Sequence, residues 1–328
     1  MRVMLTGASG FLGGHVLERL LAESVQVAAL VRDPQAAADL QARGVELVTG
    51  CIEDPLALMA ALATPTDCVF HVAADTSTWR GHEARQNRTN IDGTRNLIAA
   101  AKAAGVRRLV HTSSVSAFGQ QENVLDEHSP RLGKQSWINY ERTKAIAEEL
   151  VLEADARGDI EAVVLNPAHI LGPGDTRNWA RMFILLEQGK LPGAPPGSGT
   201  FADVREIAKA ELAAWRLPHH GEQYLLGGEH ASFLELIQCI AKELDCKAPS
   251  RALPAGFLRG YARVLDALSR VTGGEPQLTP QSVSFTCYHL RVDSTKAMRE
   301  LGYQLTPLRT LVHDTCAWLR TQGLLEKS

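Results

Sequence analysis

The chain lacks any stretch long and apolar enough to span a bilayer, which takes about 20 consecutive apolar residues, so no integral membrane segment is expected. It also lacks paired cysteines. The six stand apart at 51, 68, 239, 246, 287 and 316, so neither a metal site nor a disulfide framework is indicated, and a reducing, cytoplasmic compartment is expected. Cys51 and Cys68 fall in strand-like surroundings and read as buried thiols. Charge of one sign is missing too: 34 basic against 37 acidic residues leave a net −3, which argues against nucleic acid as a partner. Met1-Arg2-Val3-Met4-Leu5 enters an apolar strand pattern at once, leaving no room for a signal peptide. No internal repeat or low-complexity linker is visible. His219-His220, after Pro218, reads as a surface loop pair and not as a metal site.

What is present is a core-forming chain of 328 residues, 45% of them hydrophobic, with one conspicuous turn near its start. Arg2 to Leu5 reads as a short buried strand and Gly13 to Leu21 as a helix. Thr6-Gly7-Ala8-Ser9-Gly10-Phe11-Leu12-Gly13 joins them. In a doubly wound α/β protein this is where the backbone touches a pyrophosphate. Gly7 allows the tight turn, Gly10 removes a side chain that would block phosphates, and Gly13 lets the helix pack close to the strand. The placement in a strand–turn–helix, more than the glycine triplet itself, points to a nucleotide cofactor.

The second strand runs from about Val25 to Val31 and ends in Arg32-Asp33-Pro34. An acidic residue near this strand end would bind the ribose hydroxyls of NAD(H). Leu30 and Val31 stand there instead, followed by Arg32, whose planar guanidinium suits a 2′-phosphate. NADP(H) is therefore preferred, with NAD(H) the alternative: the plainer reading of Arg32 is a solvated loop residue paired with Asp33, and Asp33 could serve a ribose. A third strand, Val45 to Val48, leads to Gly50-Cys51-Ile52-Glu53-Asp54, where an adenine edge would rest.

Tyr140-Glu141-Arg142-Thr143-Lys144 opens a helical stretch, and residues four apart on a helix share a face. A phenol titrates near pH ~10, and a neighbouring ammonium draws it toward the range of a general acid or base. Lys144 could also hold the nicotinamide ribose. The strand Val106 to Thr112 ends in Ser113-Ser114, at the carboxyl edge where ligands bind in a parallel sheet. Ser114 would hydrogen-bond a substrate oxygen while Tyr140 transfers the proton; the plainer reading is a serine that caps a turn.

Glycine turn, Ser114, Tyr140 and Lys144, in this order, resemble the extended short-chain dehydrogenase/reductase superfamily. His71-Val72-Ala73-Ala74 is similar to its fourth-strand segment lining the cofactor, and Asn90-Ile91-Asp92-Gly93-Thr94 to its helix start with a site-steadying asparagine. Asn166-Pro167-Ala168-His169-Ile170 resembles its proline segment after the sixth strand, and Phe201 to Ala208 the return to the first domain. Val31-Arg32-Asp33-Pro34 and Asp293-Ser294-Thr295-Lys296-Ala297 resemble the dihydroflavonol reductase and 3β-hydroxysteroid dehydrogenase-like branch. The resemblance covers essentially the whole chain. It implies cofactor contacts at Gly7, Ser9, Gly10, Phe11, Leu12, Gly13, Arg32, Ile52, Ala73, Ala74, Asn90, Tyr140, Lys144, Pro167 and Ile170. A homodimer is a further implication. Three positions depart from the family pattern. Cys51 stands where an aspartate is frequent, Asn166 replaces an arginine common in sugar-nucleotide enzymes, and Asn139 precedes the tyrosine where proline or a small residue is frequent.

Alternating strands and helices, the latter at about Gly13–Leu21, Pro34–Arg43, Pro55–Ala63, Gly93–Ala104 and Tyr140–Gly158, predict an α/β fold with a doubly wound parallel sheet. The expected division is a Rossmann domain at 1–170 with 200–218 packing back on it, and a smaller substrate-binding region at 171–199 and 219–328. Loops after strands supply substrate candidates: Thr76, Ser77, Trp79, Ser114, His169, Asn178 and Trp179, with Tyr288 in the C-terminal part. Residues 254–271 repeat apolar side chains at helical steps. That helix reads as core packing, as a lid over an apolar substrate, or as a membrane-surface contact helped by Arg259, Arg263 and Arg270. The leading functional expectation is hydride transfer between NADP(H) and a carbonyl or secondary alcohol. Nucleotide-sugar epimerisation or dehydration with tightly bound NAD is the second, and a non-catalytic NADP-binding regulator the third.

Overall fold

The computed structural model describes residues 1–326; the last two positions of the expected 219–328 region lie outside the described residues. The strands are β1 (Arg2–Thr6), β2 (Gln26–Val31), β3 (Glu46–Thr49), β4 (Cys68–His71), β5 (Arg108–Thr112), β6 (Glu161–Pro167), β7 (His169–Leu171), β8 (Ser198–Asp203), β9 (Glu222–Leu226) and β10 (Glu229–Ser232). The helices are α1 (Phe11–Ala22), α2 (Ala38–Ala42), α3 (Pro55–Ala61), α4 (Glu83–Asn87), α5 (Gly93–Ala103), α6 (Asn139–Ala156), α7 (Ala180–Glu187), α8 (Val204–Arg216), α9 (Phe233–Glu243), α10 (Ala255–Thr272), α11 (Pro280–Cys287), α12 (Thr295–Leu301) and α13 (Leu308–Thr321).

Seven strands form one sheet in the order β3-β2-β1-β4-β5-β6-β9, every neighbouring pair parallel. This is the doubly wound α/β arrangement anticipated from the alternation. Both faces of such a sheet are covered, so its strands read as unbroken apolar runs. β1 shows why: Val3 and Leu5 enter the core that includes α1 and α8, whereas Met4 enters the one on the other face, with α3 and α5. The chain moves outward from β1 to β2 and β3, then returns to place β4 on the other side of β1. A cleft opens at such a reversal, beyond the carboxyl ends of the strands.

A second, three-stranded sheet runs β10-β8-β7. It shares a core of Phe183, Phe201, Phe233 and Leu236 with α7, α9 and α13. From β8 the chain passes directly into α8, whose Val204, Ile207 and Ala208 pack in the same core as Val3 and Leu5 of β1.

Two helices differ from their anticipated extents. The segment expected to be helical over 34–43 is helix only at α2, because the Asp33 carboxylate accepts from the N–H groups of Gln35 and Ala36 and holds a turn there. Ahead of α5 lies helical chain that the sequence reading left out: a 3₁₀ turn at Arg80–His82, α4, and a π-helical turn at Arg88–Asp92.

Candidate active site

The glycine turn after β1 has no room for side chains. Gly7 adopts φ +79°, and a Cβ there would meet Ala73 N at 2.9 Å. At Gly13 a Cβ would lie 2.0 Å from the Gly7 carbonyl oxygen, so strand and helix touch through this position. α1 then starts without a side-chain cap and with no acid in its first turn. Its leading N–H groups and the positive end of its dipole therefore suit an anion.

From this turn a groove of about 690 Å³ crosses the strand ends. Gly7, Ser9, Gly10, Phe11, Leu12, Gly13, Arg32, Ile52, Ala73, Ala74, Tyr140, Lys144 and Ile170 all line it. A dinucleotide fits that set: bare backbone and a helix N-terminus for pyrophosphate, Ile52 for an adenine edge, and Tyr140 with Lys144 at the far end. Arg32 is exposed and makes no hydrogen bond or ion pair with the described residues, while Asp33 is engaged by its own turn. The sequence reading missed Arg177, whose exposed guanidinium also lines the groove from a loop shaped by the buried Asp175 carboxylate. Cys51 proves half-buried and lines the groove. Its reading as a buried thiol is corrected, since β3 ends at Thr49 and the chain turns outward at Gly50.

Asn90 and Pro167 do not line this groove. Asn90 is buried in the π-helical turn, accepts from Asp75 N at 2.7 Å, and donates to Asp75 O at 2.9 Å and Thr143 Oγ1 at 3.0 Å. It thus ties the loop after β4 to α6. Asn139, one of the three departures, joins the same bracing: its Nδ2 donates to Gln86 and Asn87. Asn166, another, donates from Nδ2 to the Ser114 carbonyl and to Glu148.

Pro167 faces a second cleft of about 790 Å³, together with Thr76, Ser114, His169, Asn178, Trp179 and Tyr288. Ser77 and Trp79 line neither cleft. Ser77 Oγ instead contacts His82 Nδ1 at 3.0 Å, and the Trp79 ring meets the His82 imidazole edge-on. Missed from the sequence were Val115, Glu141, Arg181, Phe233, Phe285 and Leu290. Phe285 packs edge-on against the Tyr140 ring with centroids 6.3 Å apart. Only the Thr279-Pro280 helix start gave a local signal for α11, and nothing local pairs it with Tyr140.

Tyr140 lines both clefts and stands where they meet. Burial raises its phenol above the ordinary value, and a hydrogen bond with Ser114 works the other way. The anticipated lowering by Lys144 is thereby corrected. Lys144 is not among the groups that shift the phenol: its amine donates to the Thr112 carbonyl at 2.9 Å, and at Tyr140 burial outweighs the Ser114 hydrogen bond. Burial also pushes Lys144 down to about 8, opposed by the carboxylates of Glu148 and Glu211. Glu211 on α8 accepts from Thr112 Oγ1, and burial pushes it up to about 7 against that bond and Lys144. Ser114 Oγ accepts from Ser116 N at 3.1 Å, so it caps the following turn and also faces the second cleft.

Around the second cleft His169 packs among the rings of Trp179, Phe201 and Phe233, and burial pushes its imidazole down to about 4. It is neutral at ordinary pH, so this aromatic cluster itself adds no charge to the cleft. Glu141, beside Tyr140, is held above the usual carboxylate range by burial, against hydrogen bonds with Ser136 and Gln120.

Comparison with known proteins agrees with this geometry. The model of the NAD dependent epimerase/dehydratase family matches residues 3–227. The chain is 32% identical over 330 residues to sterol demethylase protein B of Methylococcus capsulatus, covering 99% of this chain and 100% of that protein. It is 28% identical to a putative dihydroflavonol 4-reductase of Synechocystis, covering 98% and 95%. Among solved structures, the crystal structure of gox2253 superposes with a TM-score of 0.84 at 31% identity, over 99% of both chains.

Proposed function

The chain belongs to the NAD dependent epimerase/dehydratase family, and from that premise we propose that it is an NADP(H)-dependent reductase of an apolar carbonyl compound, or the reverse secondary-alcohol dehydrogenase. The observation that carries this reading is Tyr140, which lines both a groove fitted to a dinucleotide and a pocket with an aromatic wall of Trp179, Phe233 and Phe285.

A bound nicotinamide supplies the hydride that becomes the new C–H bond, or takes it up in the reverse direction. The rest falls to the chain. Ser114 donates a hydrogen bond to the substrate oxygen, and Tyr140 passes its phenolic proton to that oxygen as the carbon is reduced, leaving an alcohol and a phenolate. Burial keeps the proton on Tyr140 until then, which suits an acid. Lys144, kept cationic by Glu148 and Glu211, offsets the phenolate charge and is placed to hold ribose hydroxyls. In this division residues 1–170 with 200–218 supply most of the cofactor groove, and the substrate-binding region adds Trp179, Arg181, Phe233 and the 275–290 stretch to a pocket that 113–120 and 140–141 also line.

Arg32 supports NADP(H), because it stands unengaged at the groove end while Asp33 is spent on its turn. The aromatic wall of Trp179, Phe233 and Phe285 supports an apolar substrate body, as does similarity to a protein named for sterol chemistry. The test is Tyr140→Phe assayed with NADPH and a panel of hydrophobic ketones. Loss of turnover with NADPH binding retained supports the assignment. Turnover unchanged would refute it.

A further inference from the structure

α10 leaves an apolar face uncovered. Phe257, Tyr261, Val264, Leu268 and Val271 are 61%, 50%, 57%, 56% and 87% exposed. Their spacing alternates four and three residues, so all five fall in one stripe along four turns of helix. The rings of Phe257 and Tyr261 lie parallel in solvent, with centroids 6.2 Å apart. Core packing does not explain them: α10 uses a different face for that, burying Leu258 and Ala262 against Val283 of α11. A stripe of this size on an otherwise ordinary surface marks a contact.

Charge says what the contact is. Over the whole chain acids outnumber bases, yet α10 carries three exposed arginines, Arg259, Arg263 and Arg270, and a single acid. That acid, Asp266, is buried and paired with Arg270 and with Arg80. Just ahead of the helix the chain adds exposed Lys247 and Arg251 against one exposed acid, Asp245, and Glu275 follows just after it. By helical spacing Gly256, Gly260 and Ala267 lie between the apolar stripe and the arginine row, so nothing bulky interrupts the exposed surface. A second copy of this helix would bring arginines and no exposed acid to meet them. Anionic headgroups meet both features at once, because an in-plane helix buries its apolar stripe at the acyl boundary and its basic residues reach phosphates.

The helix also adjoins the substrate pocket. Residues 275–277, directly after its Gly273 cap, form part of the pocket rim, and α11, on which it rests, contributes Ser282, Phe285 and Thr286 to the pocket wall. We propose that α10 docks on an anionic bilayer surface and brings the pocket mouth to the lipid, so that an apolar substrate enters from the membrane. The second half rests on the reductase reading; the docking does not.

The test is co-sedimentation of the full protein with vesicles of phosphatidylcholine alone and of phosphatidylcholine with phosphatidylglycerol. The protein is expected to sediment with the anionic vesicles, and less so as salt rises. The double variant Phe257→Ser, Leu268→Ser is expected to lower that partitioning about tenfold or more. Arg259→Gln with Arg263→Gln is expected to lower it roughly fivefold per arginine. Unchanged melting temperatures show that both variants are folded, as exposed positions allow. Failure to sediment with either vesicle, or equal sedimentation of the Phe257/Leu268 variant, would overturn the docking. So would a dimer that this variant converts to monomer without any vesicle binding, since the stripe would then be a seam between copies. Vesicle binding with no turnover of any ketone would leave the docking standing and remove only the reductase reading.

Discussion

The two clefts that meet at Tyr140 are built in different ways. The cofactor groove has near-bare backbone at its centre: Gly7, Gly10 and Gly13 in one turn, with Ala73 and Ala74 just beyond the end of β4. The substrate pocket is lined from dispersed segments: Phe11, Thr76 and Thr78, and stretches around 113–120, 140–141, 167–181, 233 and 275–290. A backbone surface is specified by the few residues that can make its turns, so it leaves a local signature. A surface made where distant segments happen to converge leaves none, and it can be re-lined without disturbing the fold.

That contrast can be broken or sharpened experimentally. The largest effect belongs to Tyr140, the proton-transferring residue among those that line both clefts. Tyr140→Phe is expected to reduce kcat by about 10²- to 10⁴-fold, the range for loss of a general acid, with NADPH affinity nearly unchanged in a fluorescence titration. Arg32→Ala touches the groove alone. Removing a charge-assisted contact is expected to weaken NADPH by roughly tenfold to a hundredfold and to leave NADH affinity where it was. Phe285→Ala touches the pocket alone. It is expected to raise KM for a hydrophobic ketone about tenfold while the NADPH titration stays the same. If either variant altered both titrations equally, the clefts would be one site and the contrast would fail.

The smallest effect lies at Glu211, which accepts from Thr112 of the cofactor groove. Glu211 is pushed up by burial from 4.5 to about 7, so in that interval the folded chain keeps a proton that the unfolded chain has lost. Stability attached to this group therefore falls as pH rises from about 4.5 to 7. Lys144, pushed down to about 8, has the opposite sign, but acts only above that pH. Glu211→Gln cannot ionise. Its melting temperature relative to the parent should rise by a few °C across the Glu211 interval, as thermal melts at several pH values would show. A difference that stays flat with pH would show that Glu211 ionises normally.

Legibility in the sequence follows the same division. β1, the glycine turn and α1 were readable because an apolar run, three glycines and a helical pattern stand next to one another. The Tyr140–Lys144 pair was readable because four residues are one turn of helix. The helical chain from Arg80 to Asp92 was not. Arg80-Gly81-His82-Glu83-Ala84-Arg85-Gln86-Asn87 has no apolar period, and the segment is braced by polar contacts made at long range, Gln86 to Asn139 and Asn90 to Thr143. Phe285 was invisible for a similar reason: its place beside Tyr140 depends on how α11 docks across the cleft. Asn139, a departure from the family pattern at sequence level, became intelligible only once its partners Gln86 and Asn87 were seen.

The central claim is that the groove exchanges free NADP(H) and passes hydride to a carbonyl carbon in the pocket. The most direct measurement uses NADPH deuterated at nicotinamide C4, the purified protein and a hydrophobic ketone, with bound nucleotide quantified after acid release beforehand. The account predicts protein that purifies largely free of nucleotide, consumption of NADPH in step with alcohol formed, and deuterium at the new carbinol carbon. Tightly retained NAD, with no net nucleotide consumption and turnover of a nucleotide sugar, would contradict it.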